Sequence, residues 1–287
     1  MPGLTMPRVV LPGDPVPDVD LDYLLVHAHP DDEALDFGGL LARLDREGLR
    51  GAVVILTDGN AGLDQYPWRD TGSEYPPYDL ADHALSEVRV LEAREAIGWL
   101  GADLYIRGGL VNHPYGSVVE AMQPEDVIEI WGGRDTLVAW IAYLIERLRP
   151  ELLLSPDGPG PAYEHFEHEA TGILVALARE RVESRGSSPI AMHLVSVDPL
   201  QLEGYSGLVR FSPWVAPPAE APPRLRQLLA LRAHRTQRDA TVIGVETRMA
   251  LWYEYYLVRA RDDQSEASAL LSSLLEELTV DRGATAP

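Results

Sequence analysis

The chain has 287 residues, 45 of them acidic against 24 basic, for a formal net charge of −21, and it contains no cysteine. The missing thiols exclude disulfide frameworks, iron–sulfur clusters, Cys-based zinc sites and thiol nucleophiles, so a metal, if present, must be held by His and carboxylate. The acidity argues against nucleic acid and anionic lipid as partners, because phosphate binding needs clustered cations, and here every basic side chain is Arg.

Residues 1–20 read as a Pro-rich arm with no apolar leader-like segment. No apolar run approaches the ~20 residues of a membrane span, so no membrane association is expected and a soluble, cytoplasmic protein is. A single α/β domain is expected over 21–280, with 281–287 as a disordered tail. Within it, 22–29 (DYLLVHAH) is a short apolar run that predicts a buried strand. Residues 33–48 carry apolar side chains at helical spacing and end in Gly, which predicts one helix. GAVVILT (51–57) predicts a second strand.

Residues 58–80 form a long loop rich in Gly, Pro, Asp and aromatics, a type usually functional or disordered. Tyr66, Trp68, Tyr75 and Tyr78 within it would stack on a ligand or pack on the rim. A helix over 81–100, a strand over 102–107, a helix over about 125–148 and a strand over 151–155 follow. The loop 156–168 leads to another helix, and 192–197 predicts a further strand. Residues 205–260 are less regular, with room for extra strands, one helix (RLRQLLALRAHRTQ) and an aromatic stretch, WYEYY.

Strands that are continuous Val, Ile and Leu runs, alternating with helices, predict a Rossmann-like, mostly parallel sheet flanked by helices on both faces, with a less regular C-terminal extension. Ligands bind such sheets beyond the carboxyl ends of the strands. Two polar clusters fall there. The first is His27-Ala28-His29-Pro30-Asp31-Asp32-Glu33, two His and three carboxylates within seven residues. His29 and Asp32, three apart across a stiff Pro, could point at one ion. Asp31 could enter the same cavity without ligating.

Hydrolytic zinc sites keep about three protein ligands and an open position for water. A carboxylate off the metal then accepts the proton from the attacking water. The competing reading makes Asp31 and Asp32 helix caps. Glu33 would serve the first helical turn or the site. His27, by strand alternation, should face away from the site and pack in the core.

The second cluster, Tyr163-Glu164-His165-Phe166-Glu167-His168, leaves the end of a later strand in the same way. His168 or His165 must supply a third ligand if there is a metal site. His83, His113 and His193 read as ordinary core or surface histidines. No G-x-G-x-x-G follows the first strand, which argues against a dinucleotide site.

Together the clusters resemble the PIG-L family, also called LmbE-like deacetylases, which carries AHPDDE near the N-terminus and H-x-D-H after a later strand. Here the motifs are Ala28–Glu33 and His165-Phe166-Glu167-His168, with Glu where the family more often has Asp. Thr57-Asp58-Gly59-Asn60-Ala61-Gly62 resembles its T-D-G-x-x-G loop, Arg89-Val90-Leu91-Glu92 its R-x-x-E helix and Ala233-His234-Arg235-Thr236-Gln237 its late A-H-x-[ST]-Q segment. The resemblance spans roughly residues 22–240.

It implies a zinc ion and hydrolysis of an N-acyl group, usually N-acetyl on an amino sugar. His29, Asp32 and His168 then look like metal ligands and Asp31 like the general base. His165 is similar to the histidine that stabilises developing charge or protonates the leaving amine, and Tyr163 to a carbonyl-polarising tyrosine. Arg89 resembles a substrate-binding arginine, and Asn112 is the nearest polar counterpart of an acidic substrate-binding residue. Glu167 would stand behind His165 and orient it. The expected partner is a small N-acylated amino sugar or glycoconjugate, with a homo-oligomer also compatible. Fe²⁺, Co²⁺, Ni²⁺ and Mn²⁺ suit the same ligands. The alternatives are an amidase cleaving a larger conjugate and a sugar-binding protein without catalysis.

Overall fold

The structure is a computed structural model that describes residues 4–61, 82–112, 122–158, 165–186, 189–199, 202–237, 239–262 and 264–278. In chain order the strands are β1 (Arg8–Val10), β2 (Tyr23–His27), β3 (Gly51–Thr57), β4 (Leu104–Leu110), β5 (Leu152–Pro156), β6 (Met192–Val197), β7 (Leu208–Phe211), β8 (Glu254–Arg261) and β9 (Glu276–Leu278). The helices are α1 (Asp32–Asp36), α2 (Gly38–Arg46), α3 (Asp82–Leu100), α4 (Pro124–Ile130), α5 (Arg134–Leu148), α6 (Phe166–Glu183), α7 (Pro223–Ala233), α8 (Val245–Ala250) and α9 (Glu266–Leu274), with a π-helical turn over Asp239–Gly244. Among the described residues, no helix is long and apolar enough to cross a membrane.

The strands form one sheet in the order β1-β4-β3-β2-β5-β6-β8-β7-β9. Every pairing from β1 to β6 is parallel, and β8, β7 and β9 extend the sheet antiparallel. This is the mostly parallel sheet that the Val, Ile and Leu runs predict. Its strands are apolar on both sides because both faces are covered. Along β2, Tyr23 and Leu25 join a core packed under α2, α3 and α7. Leu24 and Val26 join a second core under α4, α5 and α6. The chain runs from β2 outward through β3 to β4, then returns to place β5 on the other side of β2. The carboxyl ends of β2 and β5 therefore lie side by side at the point where the sheet order reverses, the position where such sheets bind ligands.

Two expectations, both helices, need correction. The helix expected over 33–48 is two helices with Phe37 between them. The second helix gains an acceptor that local sequence cannot reveal: Glu254 of β8 takes the amides of Gly39 and Leu40, each at 3.1 Å. The helix expected over 125–148 is also broken, because Gly132 and Gly133 adopt φ +113° and +90°, a region that glycine enters without the steric penalty of a Cβ. The Pro-rich arm contributes an edge strand, since β1 pairs in parallel with β4. Among its described residues the C-terminal extension supplies β7, β8 and β9, as the room left for extra strands allows, and WYEYY runs into β8, which pairs with β6 through Tyr256↔Ser196 and Tyr255↔Val197. The aromatics of the long loop and the residues 281–287 lie outside the described residues.

Candidate metal and catalytic centre

The loop after β2 turns sharply. Asp31 has φ +117° and ψ −28° and immediately precedes α1. That turn brings His29 and Asp32 back towards each other, and the Asp32 carboxylate takes the His29 amide at 2.7 Å. From the neighbouring strand, the loop after β5 leads into α6, whose first turn carries His168. His29 Nδ1, Asp32 Oδ2 and His168 Nε2 converge, with separations of 3.2, 3.1 and 3.1 Å.

With both imidazoles neutral and unprotonated at these nitrogens, the three atoms can offer lone pairs to a common point. A tetrahedral cation with ligand bonds of about 2.0–2.1 Å spaces its ligand atoms about 3.3 Å apart. Two imidazole nitrogens and one carboxylate oxygen on a triangle of that size fit zinc in both geometry and donor type. Two overlapping groups, His29–His165–His168 and His27–Asp32–His168, gather possible ligand atoms within 4.8 Å of one another, so His165 and His27 border the same space.

Glu167 stands behind the triangle. Its Oε2 lies 2.6 Å from His29 Nε2 and accepts from Asn112 Nδ2, also at 2.6 Å. The side chain is fully buried. The expectation that Glu167 orients His165 through its carboxylate is therefore corrected: the carboxylate meets His29, and it is the backbone N–H of Glu167 that His165 Nδ1 accepts, at 3.3 Å. The longer Glu reaches across to the β2 loop. Asn112, expected to meet substrate, is buried. Its Oδ1 accepts the Ala61 amide at 3.2 Å, and its own amide donates to Asn60 Oδ1 at 2.9 Å, tying the end of β4 to the loop after β3.

His27 also needs correction. It is buried, yet it lies against the site rather than away from it. Its Nδ1 is 2.8 Å from Asp32 Oδ2 and its Nε2 3.0 Å from Asp36 Oδ2. Its ring centroid is 4.9 Å from that of His168. Alternation does put His27 on the Tyr23 and Leu25 face, but α1 folds back over that face and brings Asp32 and Asp36 with it. Burial opposes a charged His27, but Asp32 and Asp36 outweigh it and raise the ring to about 10. The pair His27 and Asp36, nine residues apart, carried no local signal.

Asp31 lies beside the triangle. Arg89 of α3 donates to Asp31 Oδ2 at 3.3 Å, to the Gly59 carbonyl at 3.0 Å and to the Pro30 carbonyl. Arg89, expected to bind substrate, is only 4% exposed and is engaged inside the protein. Gly59 permits this approach: its φ is +68°, and a Cβ there would lie 2.5 Å from Arg89 Nη1. Burial pushes the Asp31 carboxyl up to about 6, with Arg89 opposing the rise. Burial also opposes ionisation of Asp32, but His168, His27 and His29 hold its carboxyl well below the ordinary range. Two adjacent aspartates thus have opposite electrostatic settings, the pattern that separates an acid–base group from a permanently charged one.

His165 caps α6 and stacks on His168 at a centroid distance of 4.3 Å and an interplanar angle of 6°. Burial, then the neighbouring His168 and His29, push its ring far down, which favours the neutral form. Tyr163 lies outside the described residues.

Two deacetylases are among the proteins similar to this chain in sequence. The 1D-myo-inositol 2-acetamido-2-deoxy-α-D-glucopyranoside deacetylase of Streptomyces scabiei is 31% identical over 165 residues, 55% of this chain and 47% of that protein. The protein of the same name from Mycolicibacterium vanbaalenii is 28% identical over 289 residues, 88% of this chain and 97% of that one. The chain thus spans about half the length of the first relative and nearly all of the second.

A deacetylase from the teicoplanin biosynthesis pathway has a similar fold, with a TM-score of 0.58 at 19% identity over 85% of this chain and all of that one. So does the 4-carboxy-2-hydroxymuconate hydratase of Pseudomonas putida KT2440, with a TM-score of 0.55 at 18% identity over 86% and 99% of the two chains. The fold alone therefore does not fix the reaction. The PIG-L family, GlcNAc-PI de-N-acetylase, matches residues 24–178, more than half of the chain and both polar clusters. On that match, and with those clusters meeting at one point of the sheet, the chain belongs to the PIG-L family.

Proposed function

We propose that this protein hydrolyses the N-acetyl group of an amino sugar, with a zinc ion held by His29, Asp32 and His168 and Asp31 as general base. The observation that carries the reading is the division of labour between adjacent aspartates: Asp32 sits in the donor triangle with two imidazoles, while Asp31 sits beside it, bonded to Arg89. A bound cation of this kind supplies a Lewis acid for the acetyl carbonyl and lowers the pKa of a water molecule from ~15.7 towards ~7.

Asp31 is placed to accept the proton of an attacking water as the water oxygen bonds to the acetyl carbon. Arg89 keeps the carboxylate aimed by holding Oδ2 and the adjacent Pro30 carbonyl. His165, neutral and with Nδ1 turned to the Glu167 amide, presents Nε2–H as a donor to the developing oxyanion. Asp31 returns its proton to the amide nitrogen, the carbon–nitrogen bond breaks, and amine and acetate separate. The relatives' names support an N-acetylglucosaminyl inositol as the substrate class.

The deciding experiment is metal analysis with an amine-release assay on wild type and Asp31→Asn. About one zinc per chain in both, with a rate lower by on the order of 10²–10⁴-fold in the variant, is the expected result. Full turnover by Asp31→Asn would refute the assignment of the base.

A further inference from the structure

Asp31 holds a positive φ of 117° with a Cβ attached. Such strain persists only where the surroundings over-determine it. Glu33 and His234 supply part of that restraint. One oxygen of the Glu33 carboxylate accepts the Asp31 amide at 3.0 Å, and the other lies 2.8 Å from His234 Nε2. Both side chains are fully buried. His234 comes from the segment after α7, 201 residues further along the chain.

That segment is itself fixed. Glu92 of α3 accepts the Thr236 amide at 3.0 Å with one oxygen and the Thr236 hydroxyl at 2.7 Å with the other. Glu92 stands three residues after Arg89, which holds the Asp31 carboxylate directly. One helix therefore reaches Asp31 by two routes. Arg89 takes the side chain, while Glu92, through Thr236, His234 and Glu33, takes the backbone. The R-x-x-E helix and the A-H-x-[ST]-Q segment are the two halves of one frame.

We infer that Glu33 and His234 are positioning residues that hold the Asp31 backbone in its strained turn and so aim its carboxylate. This rests on Asp31 being the base. Aiming errors of about 1 Å cost on the order of 10²-fold in rate, whereas a helix cap alone would affect only stability.

The test uses the zinc-loaded enzyme with 1D-myo-inositol 2-acetamido-2-deoxy-α-D-glucopyranoside, and the metal-free protein for amide hydrogen exchange. His234→Leu should lower kcat about 10²-fold, with KM and zinc content within about twofold of wild type and faster exchange at the Asp31 amide. His234→Gln, which keeps a donor towards Glu33, should recover most of the rate. Added to Asp31→Asn, His234→Leu should change the rate no further, since there is no base left to aim. An equal loss in that background, or unchanged exchange at Asp31, overturns the inference. Should His234→Leu fail to fold, Thr236→Val, which removes one of the two Glu92 contacts, carries the same measurements. If wild type releases no amine, the deacetylase reading fails by itself, and exchange at the Asp31 amide alone decides whether the frame exists.

Discussion

Glu167 Oε2 sits 2.6 Å from His29 Nε2, on the opposite side of the ring from the nitrogen that faces Asp32 and His168. In the tautomer that carries its proton on Nε2, His29 donates to this carboxylate and directs the Nδ1 lone pair into the donor triangle. A metal-ligating His is characteristically backed by a carboxylate in this way, and loss of such a partner weakens metal binding about 10–100-fold. Glu167→Gln is expected to lower zinc affinity by that amount in competition with a chelator, while Glu167→Asp retains the charge but must span a longer gap. Unchanged affinity in Glu167→Gln would remove Glu167 from the metal centre.

His168 closes the triangle, with Nε2 at 3.1 Å from both of its partners. His168→Ala should purify with little or no zinc under conditions where Asp31→Asn keeps about one ion per chain. Full occupancy of the His168 variant would assign the third ligand elsewhere, His165 being the adjacent candidate.

Gly59 is the point at which the loop after β3 meets Arg89. Gly59→Ala would place a methyl group where the guanidinium lies and force φ +68° on a residue with a Cβ. The strain costs about 1–3 kcal/mol, and the displaced Arg89 releases Asp31. Both a lower denaturation midpoint and a lower kcat are expected. Wild-type stability and rate together would show that the loop yields freely.

Glu254 accepts from the first amides of α2, from Tyr256 at 2.7 Å and from the fully buried Arg224 at 3.3 Å. Glu254→Ala leaves that guanidinium without its counter-charge in the core. Breaking one side of a buried pair costs about 3–5 kcal/mol, and urea denaturation should show a loss of that size. A loss under about 1 kcal/mol, the range of an exposed ion pair, would mean that water reaches Arg224.

His193 gives a pH dependence independent of the metal. It is buried, with Nε2 3.0 Å from Ser155 Oγ and Nδ1 3.2 Å from the Arg179 guanidinium. Burial, then Arg179 and Arg259, lower its pKa to about 3. The unfolded chain protonates this ring near pH ~6.5, while the folded chain does not, so its contribution is complete above that pH and lost as pH falls towards 3. The loss approaches about 1.4 kcal/mol per pH unit. Wild type should therefore lose stability between pH 6 and 4 more steeply than His193→Gln, by up to that slope. Parallel pH curves for the two proteins would place a protonated His193 in the fold.

The order of strands and helices and the residues of both polar clusters were legible in the sequence, because buried parallel strands must be apolar runs and the chemistry must sit where they end. His29, Asp31, Asp32 and His168 stand together at the end of β2 and β5. The helix breaks were less legible: Phe37 carries no breaking signal, and α2 starts where it does because Glu254 arrives from β8 to receive its amides. The antiparallel strands β7 and β9 are short and depend on pairing with neighbours for their definition.

What the sequence by itself determined is the inventory: which donors exist, that no thiol competes with them, and that two of their groups lie at strand ends. Tertiary structure decided the partnerships. It turned His27 towards Asp32 by folding α1 over its face. It gave Glu167 to His29 rather than His165 by setting β5 beside β2, and it buried Arg89 and Asn112 as supports. It also joined His234 to Glu33 across 201 positions of chain. Periodicity encodes which face a residue occupies within its own element, but a hydrogen bond between elements depends on how two faces meet, and that is fixed only when the whole sheet and its helices pack.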